Sequence, residues 1–481
     1  MNYRLNAKTL GKVLLIEAIS MIPSLLVTFL YGENPNPLLF SILALFVPAL
    51  ALSLLRPRSN RFTVRDGFII VAVIWIVMSL FGALPYFFSG YIPSYIDCFF
   101  ESVSGFTTTG ASILTNIEAL PKGILFWRSS TNWIGGMGIL VLTLALFKSL
   151  GDGAHHLMRA ESPGPSPDKL VSRLGKSSKI LYGFYIILTV AEIISLLICG
   201  LDLFNATTTT MATAGTGGFS VLNQGIGGYG NPAAEVVIAV FMALFGVNFS
   251  IYYLLAHRKF RLVWKNSELR LYLGILLIGV AAITINTLPL YSSLGDGLRS
   301  SFFQASSILT TTGFSTANFD LWPMFSKTIL FLFMFIGGCA GSTSGGIKCT
   351  RIYILFQSFR RECRKILHPN SVSSIKVDER TVLSDNTVWN ITQFFFSYMV
   401  VAFGGFIFVA LDNFDFSTTV SSVAACIGNI GPGFGEAGPV GNYAAFSGFS
   451  KFILSACMLI GRLEIFPILL LFSPKTWKSN G

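Results

Sequence analysis

Four stretches of this 481-residue sequence combine small hydroxyl side chains with glycine in a pattern suited to holding a dehydrated cation. The two clearest are Phe99–Ser112, with the sequence FFESVSGFTTTGAS, and Phe302–Ser315, with the sequence FFQASSILTTTGFS. Looser copies lie at Thr207–Ser220 and Val420–Gly433. The spacing of the copies, at roughly one hundred residues, predicts a fourfold internal repeat. The equivalent glycines, which are 108, 95 and 118 residues apart, are Gly110, Gly218, Gly313 and Gly431.

The turn that ends each stretch offers oxygen ligands without a fixed negative charge. Backbone carbonyls can replace the water around a cation and still release the ion. Glycine allows the backbone angles at which successive carbonyls face one axis, and threonine adds hydroxyl oxygens. A helix that runs into such a turn also presents the negative end of its dipole to the ion. The candidate cation ligands are Thr108, Thr109, Gly110, Thr216, Gly217, Gly218, Thr311, Thr312, Gly313, Asn429, Ile430 and Gly431.

Elements inside a membrane must position these turns. Hydrophobic residues make up 52% of the sequence and charged residues only 12%, with a mean hydropathy of +0.66, whereas soluble domains carry about 25% charged residues. Nearly uncharged windows long enough to span a bilayer core recur along the chain. A segment too short to cross survives at membrane depth only where protein surrounds it or where it lines a water-filled path. Four such segments indicate one pore with pseudo-fourfold symmetry.

The sequence therefore predicts an all-α integral membrane protein, with four helix–pore-helix–helix repeats around one pore and two extra N-terminal helices. Ten full spans are expected at residues 11–31, 37–55, 67–89, 124–148, 178–201, 232–256, 270–291, 324–357, 391–411 and 450–473. Half-length helices are expected at residues 95–107, 203–214, 298–310 and 416–428. The predicted boundaries are 1–64 for the N-terminal pair, and 65–150, 151–265, 266–368 and 369–481 for repeats one to four.

Positive charge is confined to a few segments of the chain. The net charge is +11, and 26 of the 34 Lys and Arg residues lie at residues 1–12, 56–66, 148–179, 257–270, 360–380 and 475–481. The segments that hold the turns are almost free of these residues. Cytoplasmic loops of membrane proteins carry such an excess, so both termini are predicted in the cytoplasm and the turns toward the outside. The expected surroundings are membrane lipid, and nucleic acid is not an expected partner.

Repeat three contains a second glycine-rich segment, Gly337–Ile347, with the sequence GGCAGSTSGGI. Each glycine costs a helix about 1 kcal/mol relative to alanine, so this segment should interrupt the span. Arg462 lies in the last span, and cations at such depth are functional candidates. It either donates to carbonyls of the interrupted segment, or lies near the inner interface and pairs with Glu464 or extends to lipid headgroups. Lys348 either assists it or lies at the inner surface. The candidate gate residues are Gly337, Gly338, Gly341, Ser342, Thr343, Ser344, Gly345, Gly346, Lys348 and Arg462.

Other residues that could do chemistry have simpler interpretations. Asp97 and Asp202 precede two half-helices, where they either enrich cations at the pore mouth or cap the helices. His155 and His156 have no partner at metal-ligand spacing, so they are interpreted as solvated loop residues. The seven cysteines form no CxxC pair, and we interpret them as small apolar residues of the membrane core. We expect no transition-metal site and no catalytic residues.

Taken together, the motifs SGFTTTGAS, AGTGGFS, ILTTTGFSTANFD, GNIGPGFG, GGCAGSTSGGIK and GRLE resemble the Trk/Ktr/HKT superfamily of potassium transporters, most closely its TrkH branch. The resemblance covers essentially the whole chain. The fourth turn departs most from the pattern, because Asn429, Ile430 and Pro432 surround its glycine.

The resemblance implies a function and partners. The four glycines would form a potassium filter between pore helices, and the interrupted helix would be an intramembrane gating loop. Serine at the first position favours sodium in this superfamily, so Gly110 favours potassium as the transported ion. The resemblance also implies a homodimer and a peripheral cytoplasmic TrkA-like subunit that binds NAD(H) or ATP. This chain contains no nucleotide site of its own.

Three alternatives stay open. A relative could be permeable to sodium or coupled to it. A secondary transporter of a small organic anion would also use broken helices, usually in inverted repeats, whereas the repeats here have the same orientation. A membrane enzyme would need reactive residues that the sequence does not offer.

Overall fold

The computed structural model of the chain describes residues 2–57, 63–138, 174–369, 374–378 and 381–474, and these are mostly helical. Their α-helices are Tyr3–Ser20, Ile22–Leu30, Asn36–Ser53, Val64–Gly82, Leu84–Ser89, Tyr95–Phe106, Lys122–Gly136, Leu174–Ile198, Leu203–Gly215, Pro232–Phe245, Phe249–Ala256, Phe260–Trp264, Ser267–Thr287, Leu294–Leu309, Met324–Ile336, Cys349–Leu367, Asp385–Val409, Phe416–Ile427, Gly448–Arg462 and Phe466–Leu471. The prediction of a helical membrane protein is confirmed at this level. His155 and His156, which are interpreted from the sequence as solvated loop residues, lie outside the described residues.

Six helical stretches of the described chain are long and apolar enough to cross a membrane. They match the predicted spans that begin at residues 11, 37, 67, 178, 270 and 391, although the first begins earlier than predicted, at Tyr3. Many of their large apolar side chains are exposed, as membrane-facing side chains must be. The six stretches are Tyr3–Leu30, Asn36–Ser53, Arg65–Ser89, Lys179–Ile198, Ser267–Leu290 and Asp385–Asp412.

The other predicted spans are not continuous helices. The span at 232–256 consists of two helices bent by 93° between Phe245 and Phe249. The span at 450–473 ends at Arg462 and resumes at Phe466. In the span at 124–148 the helix ends at Gly136, and the residues from 139 onward lie outside the described part. The predicted spans at 232–256 and 450–473 are thus broken helices, and the predicted span at 124–148 is described only as far as residue 138.

Distant contacts, helix caps and backbone angles accompany these breaks. A side chain at Gly246 would lie 2.7 Å from the Tyr272 hydroxyl oxygen, and the Asn248 side chain caps a new helix by accepting a hydrogen bond from the Ser250 N–H. Near the C-terminus, Glu464 and Ile465 have φ angles of 57° and 69°. These angles are rarely adopted by residues other than glycine, and they stop the helix.

Four short helices lie between the longer ones, close to the predicted half-length helices. We call them short helices 1 to 4: Tyr95–Phe106, Leu203–Gly215, Leu294–Leu309 and Phe416–Ile427. Side chains that accept backbone hydrogen bonds fix the start of three of them, namely Asp202, Ser293 and Asp415. With 12 to 16 residues, each is shorter than the roughly 20 residues that a span needs.

The N-terminal helices pack on the part of the chain that holds short helix 1. The Glu33 carboxylate accepts hydrogen bonds from the Lys122 and Gly123 N–H groups, at 2.6 and 3.0 Å, and so caps the helix Lys122–Gly136. The largest apolar core joins Leu14 and Trp127 to residues of the last helices, including Leu454. The first and last parts of the chain therefore share one core.

A small antiparallel hairpin pairs Lys376–Asp378 with Thr381–Val382. The all-α prediction missed these strands. The hairpin belongs to the basic stretch 360–380, far from the four turns in sequence, so it does not change the expected architecture of the pore.

Candidate ion-conducting site

The turns that follow the four short helices share one backbone conformation. The residue two positions before each aligned glycine is left-handed, with φ of 55° at Thr108, 54° at Thr216, 58° at Thr311 and 55° at Asn429. These residues are not glycines, so each such conformation costs roughly 1–2 kcal/mol. The aligned glycines also have positive φ, from 66° to 97°. Because the fourth turn has the same angles, its alignment with the others rests on structure as well as on sequence.

Hydrogen bonds at the helix ends hold this conformation. The N–H groups of Thr109, Gly217, Thr312 and Ile430 each donate to the carbonyl five residues earlier, at 2.8 Å in all four cases. The N–H group of each left-handed residue donates to the carbonyl three residues earlier. This is the Schellman arrangement, which satisfies carbonyls that a helix end leaves free. It explains how threonine and asparagine are held in a conformation that usually requires glycine.

The four turns adjoin one another in a closed ring. A side chain on Gly110 would overlap the Gly217 carbonyl oxygen, and one on Gly218 would overlap that of Thr312. One on Gly313 would overlap the Ile430 carbonyl oxygen. The fourth glycine closes the ring, because a side chain on Gly431 would lie 2.6 Å from the Thr109 carbonyl oxygen. The structure thus brings the four turns that hold the candidate cation ligands into contact with one another.

Several hydroxyl groups of the ring form hydrogen bonds within the protein. The Thr109 hydroxyl lies 2.8 Å from that of Thr107 and accepts a hydrogen bond from the Asn429 side chain at 3.0 Å. The Thr312 hydroxyl lies 2.8 Å from that of Thr310. These contacts leave the backbone carbonyls as the main oxygens available to an ion at these positions. Sequence reasoning missed Thr107 and Thr310, although both belong to the TTTG motif.

A buried ion pair supports the first two turns. Arg128 donates to Glu101 at 2.7 Å, and the two side chains are 2% and 0% exposed. Glu101 also accepts hydrogen bonds from the Ile113 N–H and the Ser112 hydroxyl, each at 3.0 Å. Arg128 donates to the Ser220 carbonyl at 2.6 Å. The pair therefore connects the residues just after Gly110 with those just after Gly218.

The ion pair lies at a vestibule of about 130 Å³. Residues of all four turns and Arg128 line this cavity. Glu101 neutralises the positive charge of the guanidinium beside this cavity. The pair was not predicted from the sequence, although an acidic and a basic residue within largely apolar helices indicate such a pair.

The two aspartates predicted at the starts of half-helices have structural contacts, and Asp97 lies inside short helix 1 rather than before it. Asp97 pairs with Lys451 at 2.8 Å. Asp202 accepts hydrogen bonds from the Phe204 and Asn205 N–H groups. These contacts favour the capping interpretation for Asp202, whereas Asp97 forms an ion pair instead of a cap.

The interrupted segment Gly337–Ile347 lies against the ring, on the side where the short helices end. The helix Met324–Ile336 stops before it and the helix Cys349–Leu367 begins after it. The Gly345 N–H donates to the Thr311 hydroxyl at 2.6 Å, and a side chain on Gly345 would overlap the Gly428 carbonyl oxygen. The segment therefore contacts turns three and four directly.

Arg462 reaches two parts of the chain from the last membrane segment. It donates to the Thr343 carbonyl of the interrupted segment at 2.8 Å. It also donates to the Gly135 and Gly136 carbonyls, at 2.5 and 2.7 Å. Glu464 accepts two hydrogen bonds from Arg351. These contacts favour the interpretation in which Arg462 holds the interrupted segment.

Lys348 is buried, at 4% exposure, and its ammonium group donates to the Ser344 carbonyl. This contact favours the interpretation in which Lys348 assists Arg462 in holding the segment. Its φ of 77° makes it another left-handed residue, at the end of the interrupted segment. Two cations, Lys348 and Arg462, thus contact carbonyls of this segment.

Comparison with known proteins assigns the family. A sequence model of the TrkH family, described as cation transport protein, matches residues 34–479. The chain therefore belongs to the TrkH family of cation transport proteins. This membership confirms the resemblance found in the motifs, and it confirms that the chain is a transport protein and not an enzyme.

Individual relatives match over the full length. The chain is 36% identical to the Trk system potassium uptake protein TrkH of Escherichia coli strain K12, over 99% of this chain and 100% of the relative. It is 34% identical to the potassium uptake protein TrkG of the same strain, over 98% and 97%. The crystal structure of the potassium transporter TrkH from Vibrio parahaemolyticus matches with a TM-score of 0.89 at 31% identity, over 99% of this chain and 100% of that chain.

Proposed function

We propose that the chain takes up potassium across the cytoplasmic membrane through the ring of four turns, which would act as the selectivity filter. The observation that carries this proposal is the closed contact of each aligned glycine with a carbonyl oxygen of the next turn. A ring of uncharged carbonyl oxygens is the ligand set that a dehydrated cation needs. The names of the full-length relatives, which are potassium uptake proteins, support the choice of ion.

The ends of the short helices add to the attraction for a cation. Each short helix runs into its turn, so its C-terminus carries roughly half a negative charge close to the ring. Four such ends favour a cation without a carboxylate at the site. An ion held by partial charges can also leave, which uptake requires. The filter residues are those of the four turns: Thr108, Thr109, Gly110, Thr216, Gly217, Gly218, Thr311, Thr312, Gly313, Asn429, Ile430 and Gly431.

The interrupted segment Gly337–Ile347 would be the gate. It lies against the ring on the side where the short helices end, and contacts with Thr311 and Arg462 hold it there. The guanidinium of Arg462 and the buried ammonium of Lys348 add positive charge on the exit path, which opposes a passing cation. Conduction therefore requires the segment to move.

The arrangement in the cell follows from the charge pattern and from the resemblance. Both termini and the basic loops would face the cytoplasm, and the protein would be a homodimer in the bacterial inner membrane. A TrkA-like peripheral subunit would bind NAD(H) or ATP and control the gate from that side. The four repeats would keep the boundaries given by the sequence.

Flux through the purified protein in liposomes tests this proposal. Rubidium-86 uptake should compete with potassium and much less with sodium. Equal competition by the two ions would favour a sodium-permeable transporter instead. Saturable uptake of proline without any rubidium flux would refute the proposal in favour of an organic-solute transporter.

A further inference from the structure

One carboxylate, that of Glu268, contacts both the interrupted segment Gly337–Ile347 and the first turn of the helix that follows it. Glu268 lies in the first turn of the helix Ser267–Thr287 and is 6% exposed. It accepts a hydrogen bond from the Ala340 N–H at 2.6 Å, near the start of the segment. The same oxygen accepts a second one from the Thr350 N–H at 3.2 Å, in the first turn of the helix that follows the segment.

The hydrogen bond to Ala340 is short, and the one to Thr350 is longer. An ionised carboxylate forms shorter and roughly twice as strong hydrogen bonds with N–H groups as a neutral acceptor does. At Thr350 the carboxylate also stands at the N-terminus of a 19-residue helix, where the helix dipole favours negative charge. Glu268 thus links Ala340 in the segment to Thr350 in the helix that follows it.

Other hydrogen bonds also hold the segment in place. The Cys339 N–H donates to the Gly246 carbonyl at 2.9 Å, and the Gly341 carbonyl accepts from the Phe249 N–H at 3.1 Å. These are bonds between neutral backbone groups, which contribute less. Arg462 holds the centre of the segment through Thr343. Charged side chains therefore hold the segment both at its centre and near its start.

We propose that Glu268 is a latch that keeps the interrupted segment in place against the ring. Glu268 is a positioning residue, because it touches the segment and no group in the ring. Its contribution to transport rests on the proposed function, in which this segment is the gate. The two proposals have separate measurements, since the position of the segment can be followed without any flux.

Thiol labelling follows the position of the segment. Cys339 lies in the segment and is 1% exposed, whereas Cys199 and Cys363 are more accessible and are replaced by serine in the background protein. In Glu268→Ala the rate at which a water-soluble maleimide modifies Cys339 should rise about tenfold, the effect expected for the loss of a charge-assisted hydrogen bond. Glu268→Gln keeps the size and one acceptor oxygen, so a smaller rise, of about threefold, is expected.

Matched controls separate release of the segment from unfolding. Glu362→Ala removes an exposed carboxylate that pairs with Lys365, so Cys339 should keep its wild-type rate. Cys98 is buried elsewhere in the core and should stay protected in all variants. If Cys98 becomes reactive in Glu268→Ala, that variant has unfolded and Glu268→Gln decides. A wild-type rate at Cys339 in Glu268→Gln and in any folded Glu268→Ala overturns the latch.

Flux then links the latch to transport. Basal rubidium flux should rise in parallel with Cys339 labelling, with an unchanged ratio of potassium to sodium flux, because the ring is intact. Faster labelling with wild-type flux supports the latch and refutes the gating role of the segment. Reduced flux together with wild-type labelling overturns the latch.

Discussion

A side chain at any of the four aligned glycines would lie too close to a carbonyl oxygen of a neighbouring turn. Gly110 shows the consequence most clearly, because it has a φ of 79° and faces the Gly217 carbonyl. A larger residue there must accept a backbone conformation that costs roughly 1–2 kcal/mol. It must also displace the carbonyl of the neighbouring turn. Changes at these four positions should therefore alter ion choice before they alter overall folding.

Gly110→Ser should lower the selectivity for potassium over sodium by about tenfold, the effect of roughly 1.4 kcal/mol of lost discrimination. The displaced carbonyl of the next turn would coordinate potassium, the larger of the two ions, less well. Competition between sodium and rubidium in liposome flux measures the ratio. Gly404→Ser is a matched control, because no atom lies within 4 Å of a side chain added at that helical position. An unchanged ratio in Gly110→Ser would refute the filter assignment.

The ion pair between Glu101 and Arg128 gives a second prediction. Glu101→Gln leaves the buried Arg128 without its counter-charge at the vestibule. Rubidium flux should fall at least fivefold, since an uncompensated cation at the entrance repels the ion, and detergent-solubilised protein should melt at a lower temperature. Flux and melting temperature at wild-type values would show that the pair contributes nothing at the entrance. The double variant Glu101→Gln/Arg128→Met should recover part of the flux, because it removes both charges.

At the scale of elements, the sequence is most informative about the short helices and least about the longer spans that follow them. Short helix 1 begins at Tyr95, as predicted, and the hydroxyl and glycine pattern also located the interruption at Gly337. The bend near Gly246 and the break after Arg462 were missed. Apolar composition is the same for straight and broken helices, and these breaks depend on contacts between distant residues, such as Gly246 with Tyr272.

The interrupted segment yields the prediction at this scale. Arg462→Ala removes hydrogen bonds to Thr343, Gly135 and Gly136. Charged hydrogen bonds of this kind contribute about 1.5–3 kcal/mol each, so basal rubidium flux should rise about tenfold or more. Shortening the segment by deleting Ser342–Ser344 should act in the same direction. If both variants kept the wild-type flux, the gate would lie elsewhere in the chain.

At the scale of the whole molecule, a ring of four turns needs its first and last members to meet. Contacts that join them include the Asn429 side chain with the Thr109 hydroxyl, the Tyr443 N–H with the Ser112 carbonyl, and Asp97 with Lys451. All three connect residues more than 300 positions apart in the sequence. Composition and periodicity cannot predict such pairs, although the fourfold pattern predicted that the ring closes.

The Asp97–Lys451 pair should contribute to this closure. Lys451 is 7% exposed and Asp97 is 24% exposed, so water screens the pair only partly. Lys451→Met should lower the free energy of unfolding by about 1–2 kcal/mol, less than for a fully buried pair. Melting of the detergent-solubilised protein, followed by tryptophan fluorescence, measures the effect. Asp97→Asn/Lys451→Met should be more stable than the sum of the two single changes predicts, because contacting residues are coupled. Strictly additive effects would show that the pair does not hold the first and fourth parts of the ring together.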